Sequence, residues 1–169
     1  MTQFEAAIRI AVDVHRGQTD KNGIEYIKHV LKVSELCDTE DAKIAALLHD
    51  VLEDSEWTLQ DLRTNGIEEK IVDAVNKLTH RNGESLEDYY KKLSKNDISV
   101  EVKFCDLRHN ADHSRFVDPI EGIDNEMKYR KRANMLYSII GHEKAINLIP
   151  YDVECFFVKD WSGYTVLDS

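Results

Sequence analysis

Apolar residues recur along most of this chain three and four positions apart, the spacing of helices that bury one face. Phe4, Ala7, Ile8, Ala11, Val12 and His15 outline a first amphipathic helix, stopped by Gly17. A polar turn over Gly17–Gly23 leads into Tyr26–Leu36, with Tyr26, Ile27, Val30, Leu31 and Val33 facing inward. A central, buried or half-buried helix follows from about Asp41 to Leu52. Thr58 caps a short helix, with Asp61 three residues on in a weaker version of the capping box. Asn65-Gly66 makes a turn, and Ile67–Thr79 is helical again. After the polar break His80–Glu84, Ser85 is the N-cap of Leu86–Lys95. Ile98–Asn110 reads as helix despite its β-branched start. Phe116–Asp124, containing Asp118-Pro119, reads as a loop, and Glu126–Gly141 as the last clear helix, closed by its glycine. The pattern predicts an all-α fold, with about eight helices over residues 1–146 and an irregular aromatic segment, Asn147–Ser169, packed on them.

Composition narrows the class. A chain of 169 residues is expected to be one domain, 1–169, able to bury a core without disulfides. Hydrophobic content of 42% beside 32% charge is that of a globular rather than a disordered protein. No apolar run approaches membrane-spanning length, and MTQFEAAIRI begins an amphipathic helix rather than a signal peptide. Cys37, Cys105 and Cys155 fit neither a disulfide framework nor a zinc ribbon, so the cytoplasm is the expected address. The net charge of −10 repels nucleic-acid backbones, and no basic patch offsets it.

The central helix carries more charge than a core element should. Ile44–Asp54, reading IAALLHDVLED, sets His49, Asp50, Glu53 and Asp54 among apolar neighbours. Burying an ionisable group costs several kcal/mol unless it is paired or bound to a metal. Helical spacing pairs His49 with Glu53 and Asp50 with Asp54. A helix end that surfaces, leaving Glu53 and Asp54 in water, explains part of the pattern. A bound cation explains more once His29, on the second predicted helix, and Asp106, on the seventh, are counted. Each of these alone is by default structural or solvated. Together, in the order His … His-Asp … Asp, they form a set suited to manganese, iron or zinc, with open positions for water.

Ala11–Gln18 (AVDVHRGQ), Lys21 and Gly23, Tyr26–His29, Ala45–Asp54 (AALLHDVLED), Val75–Thr79 (VNKLT) and Val102–Asn110 (VKFCDLRHN) follow one another with plausible gaps. This order resembles the HD-domain metal-dependent phosphohydrolases. More narrowly, it is similar to the hydrolase domain of RelA/SpoT-type alarmone enzymes and their small single-domain relatives. The resemblance implies an HD-domain helical bundle in which His29, His49, Asp50 and Asp106 ligate one divalent metal. That metal is usually manganese, with iron, cobalt, nickel or zinc able to stand in its place. It also implies that Glu53 and Asp54 are catalytic, orienting and activating the attacking water. Lys21 would contact phosphate and Asn110 the nucleoside or ribose, with Lys28 and Arg108 as further substrate contacts. His15 and Gln18 would be structural or supporting, and His109 packing. The implied reaction is 3′-pyrophosphohydrolysis of guanosine 3′,5′-bis(diphosphate): metal-bound hydroxide attacks the 3′ phosphorus and pyrophosphate leaves. The remaining chain has no room for a synthetase domain, so hydrolysis alone is expected. The implied partner is a small nucleotide, with neither nucleic-acid polymer nor membrane. The aromatic tail is left with two roles, a cover for the pocket mouth or a contact in a homodimer.

Two departures bear on the substrate. The family usually carries an Arg-Lys pair before the first ligand, where this chain has Asp20-Lys21. It also tends to follow its His-Asn pair with an arginine and a threonine, where Ala111-Asp112-His113 stands here. Fewer cations and two added aspartates weaken the grip on a tetraphosphate, unless Lys28, Lys103, Arg108 or Arg115 compensates. A hydrolase of another nucleotide is therefore the near alternative. A non-catalytic HD module that binds a nucleotide or partner is the alternative of another class. A di-iron oxygenase would need further histidines, and His80, His113 and His142 match no such set.

Overall fold

The computed structural model describes residues 1–152, and the fold is all-α as expected. Among these residues, strand structure is confined to an isolated antiparallel bridge between Thr19 and Glu25. The aromatic tail, with its expected role as cover or dimer contact, lies outside the described residues from residue 153 on. No helix among the described residues is long and apolar enough to cross a membrane. Two compact units form, Met1–Asp106 and a second beginning at Leu107.

The first unit holds α1 (Gln3–Val14), α2 (Ile27–Leu36), α3 (Glu40–Leu48), α4 (Val51–Asp54), α5 (Leu59–Thr64), α6 (Glu69–Leu78) and α7 (Leu86–Leu93), with α8 (Asp97–Asn110) as far as Asp106. Helix α3 is its centre and packs on α1, α2 and α6. Ala42 and Ile44 through Leu48 are all buried, so the second half of this helix is enclosed on every side rather than amphipathic. Val102 and Cys105 of α8 join the same core.

Local chemistry sets the helix starts. Thr58 and Asp61 form a reciprocal capping box at α5, and the Ser85 hydroxyl accepts the Asp88 N–H at α7, both as the sequence predicts. A second box, Thr2 with Glu5, opens α1. The start of α3 is held from a distance. The buried Glu101 carboxylate on α8 accepts from the N–H groups of Asp38 (2.6 Å) and Thr39 (2.9 Å) and from the Thr39 hydroxyl (2.7 Å).

Two elements depart from the sequence pattern. The single helix expected from Asp41 to Leu52 is interrupted at His49-Asp50, separating α3 from α4. Asp118-Pro119, read from the sequence as loop, instead starts α9 (Pro119–Ile140). The Asp118 carboxylate caps the Ile120 N–H at 2.8 Å, and proline at the first helical position needs no N–H partner there. Leu31, expected inward, is exposed.

In the second unit a 3-10 turn, His113–Arg115, packs on α9 beside Gly122. A Cβ at Gly122 would stand 2.9 Å from the His113 carbonyl oxygen, so only glycine fits. Gly141, at φ 81°, closes α9 as predicted and leads into α10 (His142–Leu148) and the short α11 (Pro150–Asp152).

Candidate metal centre

The interruption of the central helix builds the site. In an unbroken helix the Ala46 carbonyl would accept from the N–H of residue 50. Here it accepts from His49 Nδ1 at 2.6 Å and more weakly from the His49 N–H at 3.5 Å. The chain turns tightly, with Asp50 at φ −102°, ψ −3°. Neighbours on a helix point about 100° apart. The turn instead brings His49 Nε2 and Asp50 Oδ2 within 3.0 Å. His49 thus faces Asp50 rather than the Glu53 partner that helical spacing suggests.

Two further side chains complete the cluster. His29, in the first turn of α2, places Nε2 3.2 Å from Asp106 Oδ1 on α8. The same Asp106 oxygen is 3.8 Å from His49 Nε2. Ligand atoms of His29, His49 and Asp50 all lie within 4.8 Å of one another. His29, His49 and Asp106 are about 5% exposed.

The protonation of His49 shows what the cluster lacks. A carbonyl only accepts, so Nδ1 carries the hydrogen and Nε2 of the neutral ring presents a lone pair. That atom is fully buried and makes no hydrogen bond, although two carboxylate oxygens stand close to it. A lone pair facing two anions demands either a proton or a metal cation. Burial alone would strip the ring of its charge, but the Asp50 and Asp106 carboxylates outweigh it and raise the ring's proton affinity well above the ordinary value. Burial likewise pushes Asp50 up, and the charge on His49 overrides it, holding the carboxyl at about 2. Two imidazoles and two carboxylates, one imidazole nitrogen orphaned, fit a divalent ion of intermediate hardness.

Outer hydrogen bonds hold the carboxylates in place. The Tyr26 hydroxyl donates to Asp50 Oδ2 at 2.5 Å, and the Lys103 ammonium to Asp106 Oδ2 at 2.9 Å. The sequence pattern marks neither donor: it reads Tyr26 as an inward-facing residue and Lys103 as a surface charge able to compensate for a missing cation. The tyrosine falls one turn before His29, and that spacing is the sequence signal for it.

Glu53 and Asp54 on α4 line an adjoining cleft of about 510 Å³, together with Leu52, Thr79, His80, Arg81 and Asn82. Glu53 Oε1 accepts the His80 N–H at 2.6 Å. Partial burial raises its proton affinity, and the Asp50 charge adds to the effect. Asp54 is raised for the same two reasons. His15 Nδ1, hydrogen-bonded to Gln18 Oε1 at 2.8 Å, stands 3.9 Å from Asp54 Oδ2.

The expected substrate contacts are more scattered. Lys21 is exposed on the loop between α1 and α2, and Lys28 is exposed and paired with Glu25 at 2.9 Å. Arg108 and Asn110 belong to the second unit. There the Arg108 guanidinium lies 4.8 Å from the Tyr151 ring centre, and the Asn110 carbonyl accepts from Asn125 Nδ2 at 2.5 Å. Both aspartates that replace expected cations shape turns. Asp20 Oδ1 accepts the N–H groups of Asn22 (2.8 Å) and Ile24 (3.0 Å). Asp112 Oδ1 accepts the N–H (3.0 Å) and hydroxyl (2.6 Å) of Ser114.

Residues 7–102 match the family model of the HD domain, which ends four positions short of Asp106. The chain is 28% identical over 166 residues to a protein of Streptomyces coelicolor named GTP pyrophosphokinase, covering 91% of this chain and 19% of that one. It is 30% identical over 159 residues to the guanosine-3′,5′-bis(diphosphate) 3′-pyrophosphohydrolase of Haemophilus influenzae, covering 86% and 23%. The chain thus spans about a fifth of the length of these curated relatives. A solved structure of a metazoan ortholog of SpoT, described as hydrolysing ppGpp, shares the fold. It superposes with a TM-score of 0.67 at 19% identity, over 91% of this chain and 96% of that one.

Proposed function

This chain belongs to the HD domain family, and from that premise we propose that it is a metal-dependent phosphohydrolase that removes pyrophosphate from the 3′ position of guanosine 3′,5′-bis(diphosphate). The observation that carries this reading is the convergence of His29, His49 and Asp50 within 4.8 Å, beside a cleft lined by Glu53 and Asp54. The relative from Haemophilus influenzae, named for that reaction, supplies the substrate.

His29, His49, Asp50 and Asp106 would hold one divalent ion, and manganese suits their mixed imidazole–carboxylate character. Such an ion supplies Lewis acidity to a phosphoryl oxygen and to water. The protein's own groups do the rest. Glu53 and Asp54, whose proton affinity is raised, would take a proton from the attacking water and return it to the leaving oxygen. His15, itself held by Gln18, stands beside Asp54 at 3.9 Å. Lys21 would hold a phosphate. Such a protein would work in the cytoplasm.

The test is direct. Manganese-loaded protein is incubated with guanosine 3′,5′-bis(diphosphate) and with a panel of other nucleotides, and released pyrophosphate or phosphate is quantified. Pyrophosphate release from the first, abolished in Asp50→Ala, is expected. Turnover of another nucleotide alone would overturn the substrate, and no turnover of any would leave a binding module.

A further inference from the structure

The cleft beside Glu53 and Asp54 presents two carboxylates to a substrate that is itself polyanionic, so a phosphate can enter only against positive charge. Two of the cations named so far are engaged elsewhere. Lys103 donates to Asp106 (2.9 Å), and Lys28 pairs with Glu25 (2.9 Å). Among the described residues that line the cleft, Arg81 is the lysine or arginine. We propose that Arg81 is a substrate-binding residue that holds a phosphoryl group of the nucleotide in this cleft. This rests on the hydrolase reading above and deepens it.

The loop that carries Arg81 is built, not merely exposed. The His80 N–H donates to Glu53, tying the loop to the carboxylate side of the cleft. The His80 ring stacks on Tyr89, with centres 4.6 Å apart and planes 18° from parallel, and its Nε2–H donates to the Glu84 carbonyl at 2.8 Å. The Arg81 N–H donates to Glu84 Oε2 at 3.1 Å. Lys92 braces both ends, donating to the Thr79 carbonyl (2.9 Å) and to Glu84 Oε2 (2.8 Å). Gly83, at φ 80°, supplies the left-handed residue the turn requires.

The guanidinium is oriented as well. Arg81 Nη2 donates to Asn76 Oδ1 at 2.5 Å, which uses one of its five N–H donors and steers the others. A guanidinium matches a phosphate with two parallel hydrogen bonds, and a loop already ordered loses little entropy on binding. Arg81 thereby returns to the cleft a cation of the kind that Asp20 withholds from the loop before α2.

The experiment uses the full chain loaded with manganese and reads two quantities: the affinity for inorganic pyrophosphate by titration calorimetry, and KM and kcat on guanosine 3′,5′-bis(diphosphate). Arg81→Ala should weaken pyrophosphate binding about 10- to 100-fold and raise KM by a like factor, the size of a lost charge-assisted pair. Metal content and kcat should stay within about threefold of the parent, as for uniform binding. Arg81→Lys should fall between. Arg16→Ala, removing an exposed cation paired with Asp13, should change neither quantity. Parental pyrophosphate affinity in Arg81→Ala, an equal loss in Arg16→Ala, or no pyrophosphate binding by the parent would overturn the assignment. Pyrophosphate binding by a parent that hydrolyses no nucleotide, lost in Arg81→Ala, would instead leave Arg81 standing and remove the hydrolase reading.

Discussion

The Tyr26 hydroxyl and Asp50 Oδ2 meet at 2.5 Å, and the same oxygen stands 3.0 Å from His49 Nε2. One carboxylate oxygen is thus held from outside by a neutral donor while it faces the cluster. Tyr26 is the residue just before α2, and His29 enters the cluster three positions later. The start of one helix therefore supplies both a ligand candidate and the group that aims another.

Tyr26→Phe removes that hydrogen bond and nothing else of similar size. Outer partners of metal ligands are worth about 10- to 100-fold in metal affinity. A loss of that order is expected in competition against a chromogenic chelator, with helical content unchanged. Parental affinity would reduce Tyr26 to a packing residue.

Metal uptake should depend on pH in a definite direction. His49 holds a proton more tightly than a free imidazole, and a metal must displace that proton. Affinity should therefore rise with pH until the ring is neutral, and fall about tenfold for each unit below that point. Calorimetry in buffers of different ionisation enthalpy should show about one proton released per ion. A flat affinity from about pH 5 to pH 8 would contradict the assigned role of His49.

Lys103 and Asp106 form a largely buried pair, so removing the lysine leaves the carboxylate with the His29 and His49 imidazoles against it. Lys103→Met should destabilise the metal-free protein by about 3 kcal/mol in urea unfolding, and manganese should restore part of the loss. Burial pushes the Asp106 carboxyl up, but Lys103, together with His29 and His49, outweighs it and holds it well below the ordinary range. A depressed carboxyl adds stability above its unfolded pKa, near about 4, and loses it as pH falls further. The parent should therefore lose stability in acid below about pH 4, and Lys103→Met less steeply. Equal stability of the two proteins at neutral pH would end this account.

Glu101 is a second buried carboxylate with no part in the chemistry. It satisfies two backbone donors and one hydroxyl at the start of α3. Glu101→Ala leaves them unpaired and should cost about 2–3 kcal/mol. Because α3 carries His49 at its end, thermal unfolding and metal affinity should fall together.

Asp20 and Asp112 mark the limit of reasoning from residue type. As charges they argue against a polyphosphate. Each instead accepts two hydrogen bonds within four residues of itself, so part of that charge is neutralised inside a turn. Asp118-Pro119 misleads in the opposite sense: a pair typical of loops became a helix cap, because an aspartate side chain can satisfy the N–H groups that the first turn leaves open.

What the sequence determined by itself was everything written in short-range spacing. The three- and four-residue spacing of apolar positions marked the helices, Thr58 and Ser85 their starts, and Gly141 the end of α9. The ionisable residues inside apolar stretches named the candidates for a metal. What it left to the tertiary structure was their direction. His49 and Asp50 share an aim only because the His49 ring takes the Ala46 carbonyl and turns the backbone. Asp106 meets them only because α8 joins the core around α3. Arg81 enters the cleft on a loop whose order depends on Tyr89, Lys92 and Glu53. Spacing along a chain says which residues share a face, but where faces meet is decided by packing and by the competition for each backbone donor and acceptor.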